Sequence, residues 1–171
     1  MIYFITEAYL KTNTPITKNV DVNDVTPFIR PACEMRVEVL LGSFFMNDLL
    51  VKYNAQTLSV DETELVTYIQ PVVAWRAAEQ AAFNLSYQLK NKGVQVQFGE
   101  FSANASQSEV AFVMEHYSQV AARYEDRLTK WLLKNKDLFP AFTSAQNKDS
   151  IIKPVDECNG LDNYDNTMMV I

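Results

Sequence analysis

The stretch Ser59–Gly93, SVDETELVTYIQPVVAWRAAEQAAFNLSYQLKNKG, constrains this chain more than any other, because it carries a helix start, a helix stop and an apolar stripe. Ser59 followed by Glu62 fits a capping box, in which each side chain satisfies a backbone N–H that the first helical turn leaves unpaired. At the other end Gly93 follows Lys90 and Lys92, the pattern of a glycine stop after a cationic last turn. Between them Leu65, Tyr68, Val72, Trp75, Ala78, Ala82, Leu85 and Leu89 recur at steps of three and four, which predicts one buried helix face. Pro71 lies inside this pattern with no N–H to donate, so a kink is expected there.

A second long helix is predicted from about Gln107 to Lys136. Ser106 and Glu109 repeat the capping box, and Val110, Val113, Tyr117, Val120, Tyr124, Leu128 and Trp131 supply the stripe. Two long helices with facing stripes and a short connector predict an antiparallel hairpin on which the rest packs. The connector VQVQFGEFSANAS alternates Val94, Val96 and Phe98 with Gln95 and Gln97, which reads as a strand. One strand needs a partner, either within the chain or on the edge of a neighbouring molecule. The fold class is therefore mainly α: a helical bundle built on a long antiparallel helix hairpin, with a short β segment in the connector and an extended C-terminal tail.

Residues 1–20 read as an arm, with Ile2, Phe4, Ile5 and Leu10 able to dock and KTNTPITKN composed like a loop. Asp21 or Asp24 offers an N-cap to a helix running to Leu41, made irregular in its first turn by Pro27 and Pro31. Gly42 and Ser43 interrupt it. A short helix then carries Phe44, Phe45, Leu49, Leu50 and Tyr53 to about Asn54. After Lys136, Phe139 and Phe142 are expected to fold back onto the core. Residues 143–171 are rich in Asn, Asp and Ser and have no helical stripe, so they read as a tail, flexible alone and ordered by a partner. The division is thus a helical domain over 1–142 and a tail over 143–171.

Chemistry is scarce. The single histidine, His116, removes any site needing two, and beside Tyr117 it reads as a partly buried helix residue. The four glycines, at 42, 93, 99 and 160, build no phosphate-cradling loop. Cys33 and Cys158 lack a nucleophile signature and read as free thiols. Neither a secretory signal nor a run of the roughly 20 apolar residues that spans a bilayer is present. A net charge of −6 argues against tight wrapping of nucleic acid, though not against passive contact with DNA. No enzyme activity, cofactor or metal is expected.

What stands out instead is surface. Arg123, Arg127, Lys130 and Lys134 fall at steps of four, three and four, a basic ribbon on the last helix. It reads either as a solvated face or as a contact with an acidic patch on an identical neighbour. Phe44, Phe45, Trp75, Phe83, Tyr87 and Phe112 lie partly outside the stripes and suggest more apolar surface than one hairpin hides, the kind enriched at interfaces.

In the order of its elements the chain resembles the helical head–tail connector (adaptor, or head-completion) proteins of tailed bacteriophages, most of all those of crAss-like phages. The resemblance rests on ITEAYLKTNTPITKNVDVNDV, VEVLLGSFFMNDLL, YIQPVVAWRAAEQAAFNL, the Gly93-Val94 turn into a polar strand, and SEVAFVMEHYSQVAARYEDRLTKWL, over about residues 3–142. It implies a structural virion protein at the head–tail junction, made in the host cytoplasm. Its partners would be identical subunits in a ring, commonly of twelve, then the portal and neighbouring tail or connector proteins. Double-stranded DNA would pass through without sequence-specific contact, and no membrane is involved. The contact regions would be the 94–106 connector and the terminal arms; taken together with the basic ribbon, they make the expected interface residues Val94, Val96, Phe98, Arg123, Arg127, Lys130, Lys134, Ile151, Ile152, Met168 and Met169. The alternative reading is a non-viral helical adaptor that binds a partner helix.

Overall fold

A computed structural model describes residues 3–16, 20–90, 93–96 and 107–152. The architecture is mainly helical. Helices α1 (Glu7–Asn13) and α2 (Val22–Ala32) lead through a π turn (Cys33–Val37) into α3 (Glu38–Leu41). Helix α4 (Ser43–Ala55) follows, then the long α5 (Val60–Ser86), strands β1 (Tyr87–Lys90) and β2 (Gly93–Val96), and the long α6 (Gln107–Lys134).

Helix α5 is the centre, flanked by α6 and α2 and touched by α1 and the π turn. That is why its burial exceeds a stripe. Leu65, Val72 and Ala78 are buried as their spacing predicts, but so are Val66, Ile69, Val73, Ala74, Ala77 and Ala81. A helix with neighbours on more than one side needs apolar residues around most of its circumference. Each buried valine or isoleucine contributes about 1.5–3 kcal/mol of transfer free energy. The small alanines at 74, 77, 78 and 81 leave room for close helix contacts.

The capping box is present: Glu62 N–H donates to Ser59 Oγ at 3.2 Å, and Ser59 N–H donates to Glu62 Oε2 at 2.8 Å. The proposed box at Ser106 lies partly outside the described residues. Helix α5 runs on through Pro71 as one element. Its end differs from expectation. The helix stops at Ser86 rather than Gly93, and residues 87–90 form β1, antiparallel to β2 with Tyr87 opposite Val96 and Leu89 opposite Val94. Alternation beginning at Tyr87 had been hidden by the helical spacing of Leu85 and Leu89. The connector strand thus finds its partner inside the chain.

Three further segments depart from the sequence reading. Residues 7–13 are helical, so the helix takes in Lys11, Thr12 and Asn13 from the stretch read as loop: Thr6 caps α1 through Tyr9 N–H, and Lys11 pairs with Glu7 at 2.8 Å. The arm is pinned at Phe4, whose carbonyl accepts from Tyr53 Oη at 3.1 Å and Gln70 Nε2 at 2.9 Å. Phe4 has φ 60°, a left-handed conformation costing about 1–2 kcal/mol in a non-glycine residue, offset by complete burial of its ring against Tyr53. In α2, capped by Asp21, the irregularity comes after the prolines. Pro31 cannot donate to the carbonyl of Pro27 and crowds it, and the helix then widens until Glu38 N–H bonds Cys33, five residues back. Cys33, Val37, Leu40 and Leu41 all reach the core across that turn.

The chain breaks at Gly42 (φ 85°, ψ 146°), as expected, and α4 begins at once. Phe139 and Phe142 fold back, each ring 5.7 Å from that of Phe45. The tail does not begin at 143. Residues up to Ile152 lie on the body, with Asn147, Ser150 and Ile152 buried. Short polar side chains that read as loop composition here cap the ends of distant helices.

Candidate interaction surface

The α5–α6 hairpin owes its register to a buried ionic cluster. Arg76, 5% exposed, donates from Nε to Glu125 Oε1 at 2.7 Å and from Nη2 to Glu125 Oε2 at 3.0 Å. Its Nη1 donates to Glu79 Oε2 at 2.8 Å and to Ser118 Oγ at 3.0 Å. Burial pushes the guanidinium pKa down, but the bonds to Glu125 and Glu79 outweigh it and hold the charge. Aromatic pairs flank the cluster: Trp75 meets Tyr117 edge-on at 5.5 Å, and Tyr68 stacks on Trp131 at 4.8 Å. Tyr68 facing Trp131 and Trp75 facing Tyr117, later in one helix and earlier in the other, mark an antiparallel pair. The signal in the sequence was Arg76 itself, the only cation between Lys52 and Lys90.

A second ionic link ties α4 to the start of α5, where Lys52 Nζ bridges Asp48 at 2.7 Å and Glu62 at 2.6 Å. Burial alone would raise the Glu62 carboxyl, but Lys52 and Ser59 hold it below its ordinary value of 4.5.

The basic ribbon is only partly free. Arg127 lies over the Tyr68 ring at 4.9 Å, a cation–π contact within the subunit, and Lys130 pairs with Asp126 at 2.7 Å. Arg123 and Lys134 are exposed. Val94 and Val96 lie in β2, whereas Phe98, Met168 and Met169 fall outside the described residues. Ile151 and Ile152 separate: Ile151 is 63% exposed and Ile152 is buried.

The aromatic surplus divides in the same way. Phe45 is core and Trp75 half-buried, while Phe44, Phe83 and Phe112 are exposed. The side chain of Tyr87 lies outside the description. His116 is exposed rather than partly buried, on the outer side of α6. Among the large exposed apolar side chains, which also include Phe44, Val51, Val60 and Leu138, two sets share a part of the fold. At the α5–α6 tip stand Phe83, Phe112 and Val113. Around the π turn stand Met35 and Val39, joined by Ile151, whose N–H bonds the Val39 carbonyl at 3.0 Å. The second group was not legible as a unit, since 112 residues of sequence separate its members Val39 and Ile151.

Open clefts lie at the α4–α5 junction, about 390 Å³ lined by Tyr53, Gln56, Leu58 and Thr63, and near the π turn, about 310 Å³ between Tyr3, Glu34, Glu38 and Met46. Among the described residues no group of three or more His, Cys, Asp or Glu is placed to hold a metal ion. No described helix is long and apolar enough to cross a membrane. The geometry can therefore present apolar and charged faces from a rigid hairpin. No curated protein matches the chain and no solved structure does. One family model covers residues 37–152, more than half of the 171 residues. The chain belongs to that family, the Family of unknown function (DUF6712).

Proposed function

We propose that the protein is a structural subunit of a phage head–tail connector ring, docking below the portal and lining the path of the DNA. The observation that carries this reading is the pair of exposed apolar groups, Phe83 with Phe112 and Met35 with Val39 and Ile151, on a hairpin whose register is fixed by Arg76. Exposed aromatic and methionine side chains are the kind of surface enriched where another protein sits. A ring of identical subunits uses two different patches on each copy, a head-to-tail contact that closes. The net charge of −6 favours a channel that lets DNA slide over one that grips it.

The test is the mass of the purified protein in solution, with imaging of what forms, in the presence and absence of a portal complex. Closed rings or ordered addition to the portal support the reading. A monomer or dimer that ignores the portal overturns it in favour of a helical adaptor. The variant Arg123→Glu/Lys134→Glu refines the result: it should weaken assembly at least tenfold with unchanged helicity if the exposed part of the basic ribbon faces a neighbour.

A further inference from the structure

The break at Gly42 leaves two helix ends open at one point. The last carbonyls of α3 have no continuing helix to bond, and the first N–H groups of α4 have no preceding one. Members of both sets are satisfied from more than a hundred residues away. Asn147 Nδ2 donates to the Leu41 carbonyl at 2.8 Å, and Ser150 Oγ donates to the Leu40 carbonyl at 2.6 Å. On the other side, Asp149 accepts from Ser43 N–H at 3.1 Å and Asn147 Oδ1 from Phe45 N–H at 3.3 Å. Asp149 also places a negative charge at the positive end of the α4 dipole. The fit is close: a Cβ on Gly42 would stand 2.1 Å from Asn147 Oδ1.

We infer that residues 144–152 form a strap which opens as one unit, and that the angle between α3 and α4 is fixed only while the strap is closed. Two features make this separable from the rest of the fold. The strap grips through the side-chain bonds of Asn147, Asp149 and Ser150, one backbone bond from Ile151 and one buried apolar side chain, Ile152, whereas α5 buries nine apolar residues between Leu65 and Ala81. Segments with few apolar anchors open below the free energy of global unfolding. Opening also withdraws Ile151 from Val39, so the apolar surface at the π turn is dismantled in the same step. A partner that binds that surface therefore holds the strap shut, and whatever frees the strap weakens that partner's binding by the same factor. The inference stands whether or not the partner is a copy of this chain.

Native-state hydrogen exchange on the full chain tests it. The amides of Ser43, Phe45, Ile151 and Ile152 all bond to or within the strap. In the wild type they should share one opening constant, at least tenfold larger than that of Ile69 and Val73 in α5. Ile152→Ala, which removes the buried anchor and none of the bonds these amides make, should raise exchange of all four by a common factor of ten or more and leave α5 unchanged. Spin labels at the exposed positions Arg36 and Val51 should then change from a narrow to a broad distance distribution. Strap amides that exchange only with α5, four amides that respond independently, or an unchanged label distance would each overturn the inference. The wild-type exchange pattern decides even if the variant does not fold.

Discussion

Replacing Arg76 by methionine tests what holds the two long helices in register. The substitution keeps the length and apolar stem of the side chain and removes the charge, leaving Glu125 and Glu79 facing a gap between helices. Breaking a buried pair by deleting one partner costs roughly 3–5 kcal/mol, because the remaining charge is stranded. Here the carboxylates keep some water, with side-chain exposures of 17% and 22%, so a smaller loss of about 2–4 kcal/mol is expected by the same principle. For a chain of this size each kcal/mol moves Tm by about 2–4 °C, giving a fall of roughly 5–15 °C. Urea unfolding followed by circular dichroism at pH 7 measures the free energy directly, with the slope reporting whether unfolding stays two-state. The second arm is Arg76→Met with Glu125→Leu and Glu79→Gln. If the cost lies in stranded charge, this variant should regain most of the loss. A single variant within about 1 kcal/mol of wild type, or a triple variant no better than the single one, would refute the argument.

Other outcomes follow from the same contacts. Glu62 titrates below its ordinary value of 4.5 when folded, so it binds fewer protons folded than unfolded, and its contribution is present above that pH and lost as pH falls through the folded value. Stability measured between pH 6 and pH 3 should therefore fall less steeply for Glu62→Gln than for wild type. The Cys33 thiol is fully buried and pushed up to about 12 by burial, so peptide mapping after iodoacetamide at pH 8 should find it unmodified in the native protein and alkylated in urea. Gly42→Ala forces a left-handed backbone on alanine and displaces Asn147 from three hydrogen bonds, and should cost about 3 kcal/mol in denaturant melts.

What could be read in advance was what sits close together in sequence. The Ser59–Glu62 box, the Asp21 cap, the break at Gly42 and the return of Phe139 and Phe142 each announce themselves within a few residues. The failures share one cause. Helix α1 is seven residues long, too short for periodicity to outweigh its closing Thr12 and Asn13. Arg76 stands alone as a cation between Lys52 and Lys90, and its partners Glu125 and Ser118 come to it only through α6. Asn147, Asp149 and Ser150 have loop composition, and only the fold shows that they complete helices a hundred residues earlier. The interaction surface followed suit: Arg127 and Lys130 form a ribbon in sequence, yet the subunit itself engages both. Met35, Val39 and Ile151 become one surface only through a backbone bond that no local pattern encodes.

The docking of the N-terminal arm bears on how the family's boundaries should be understood. The shared region starts at residue 37, inside the π turn, yet Phe4, Ile5, Leu10, Val25 and Ile29 are buried in the same core as α5. A fragment cut at that start would lose α1 and α2 together and bare the flank of α5 on which α2 rests. It would also leave Tyr53 and Gln70 without the Phe4 carbonyl they share. In this chain the region matched by the family model is therefore a portion of a folding unit, and the described residues before it supply Phe4, Ile5, Leu10, Val25 and Ile29 to the same interior.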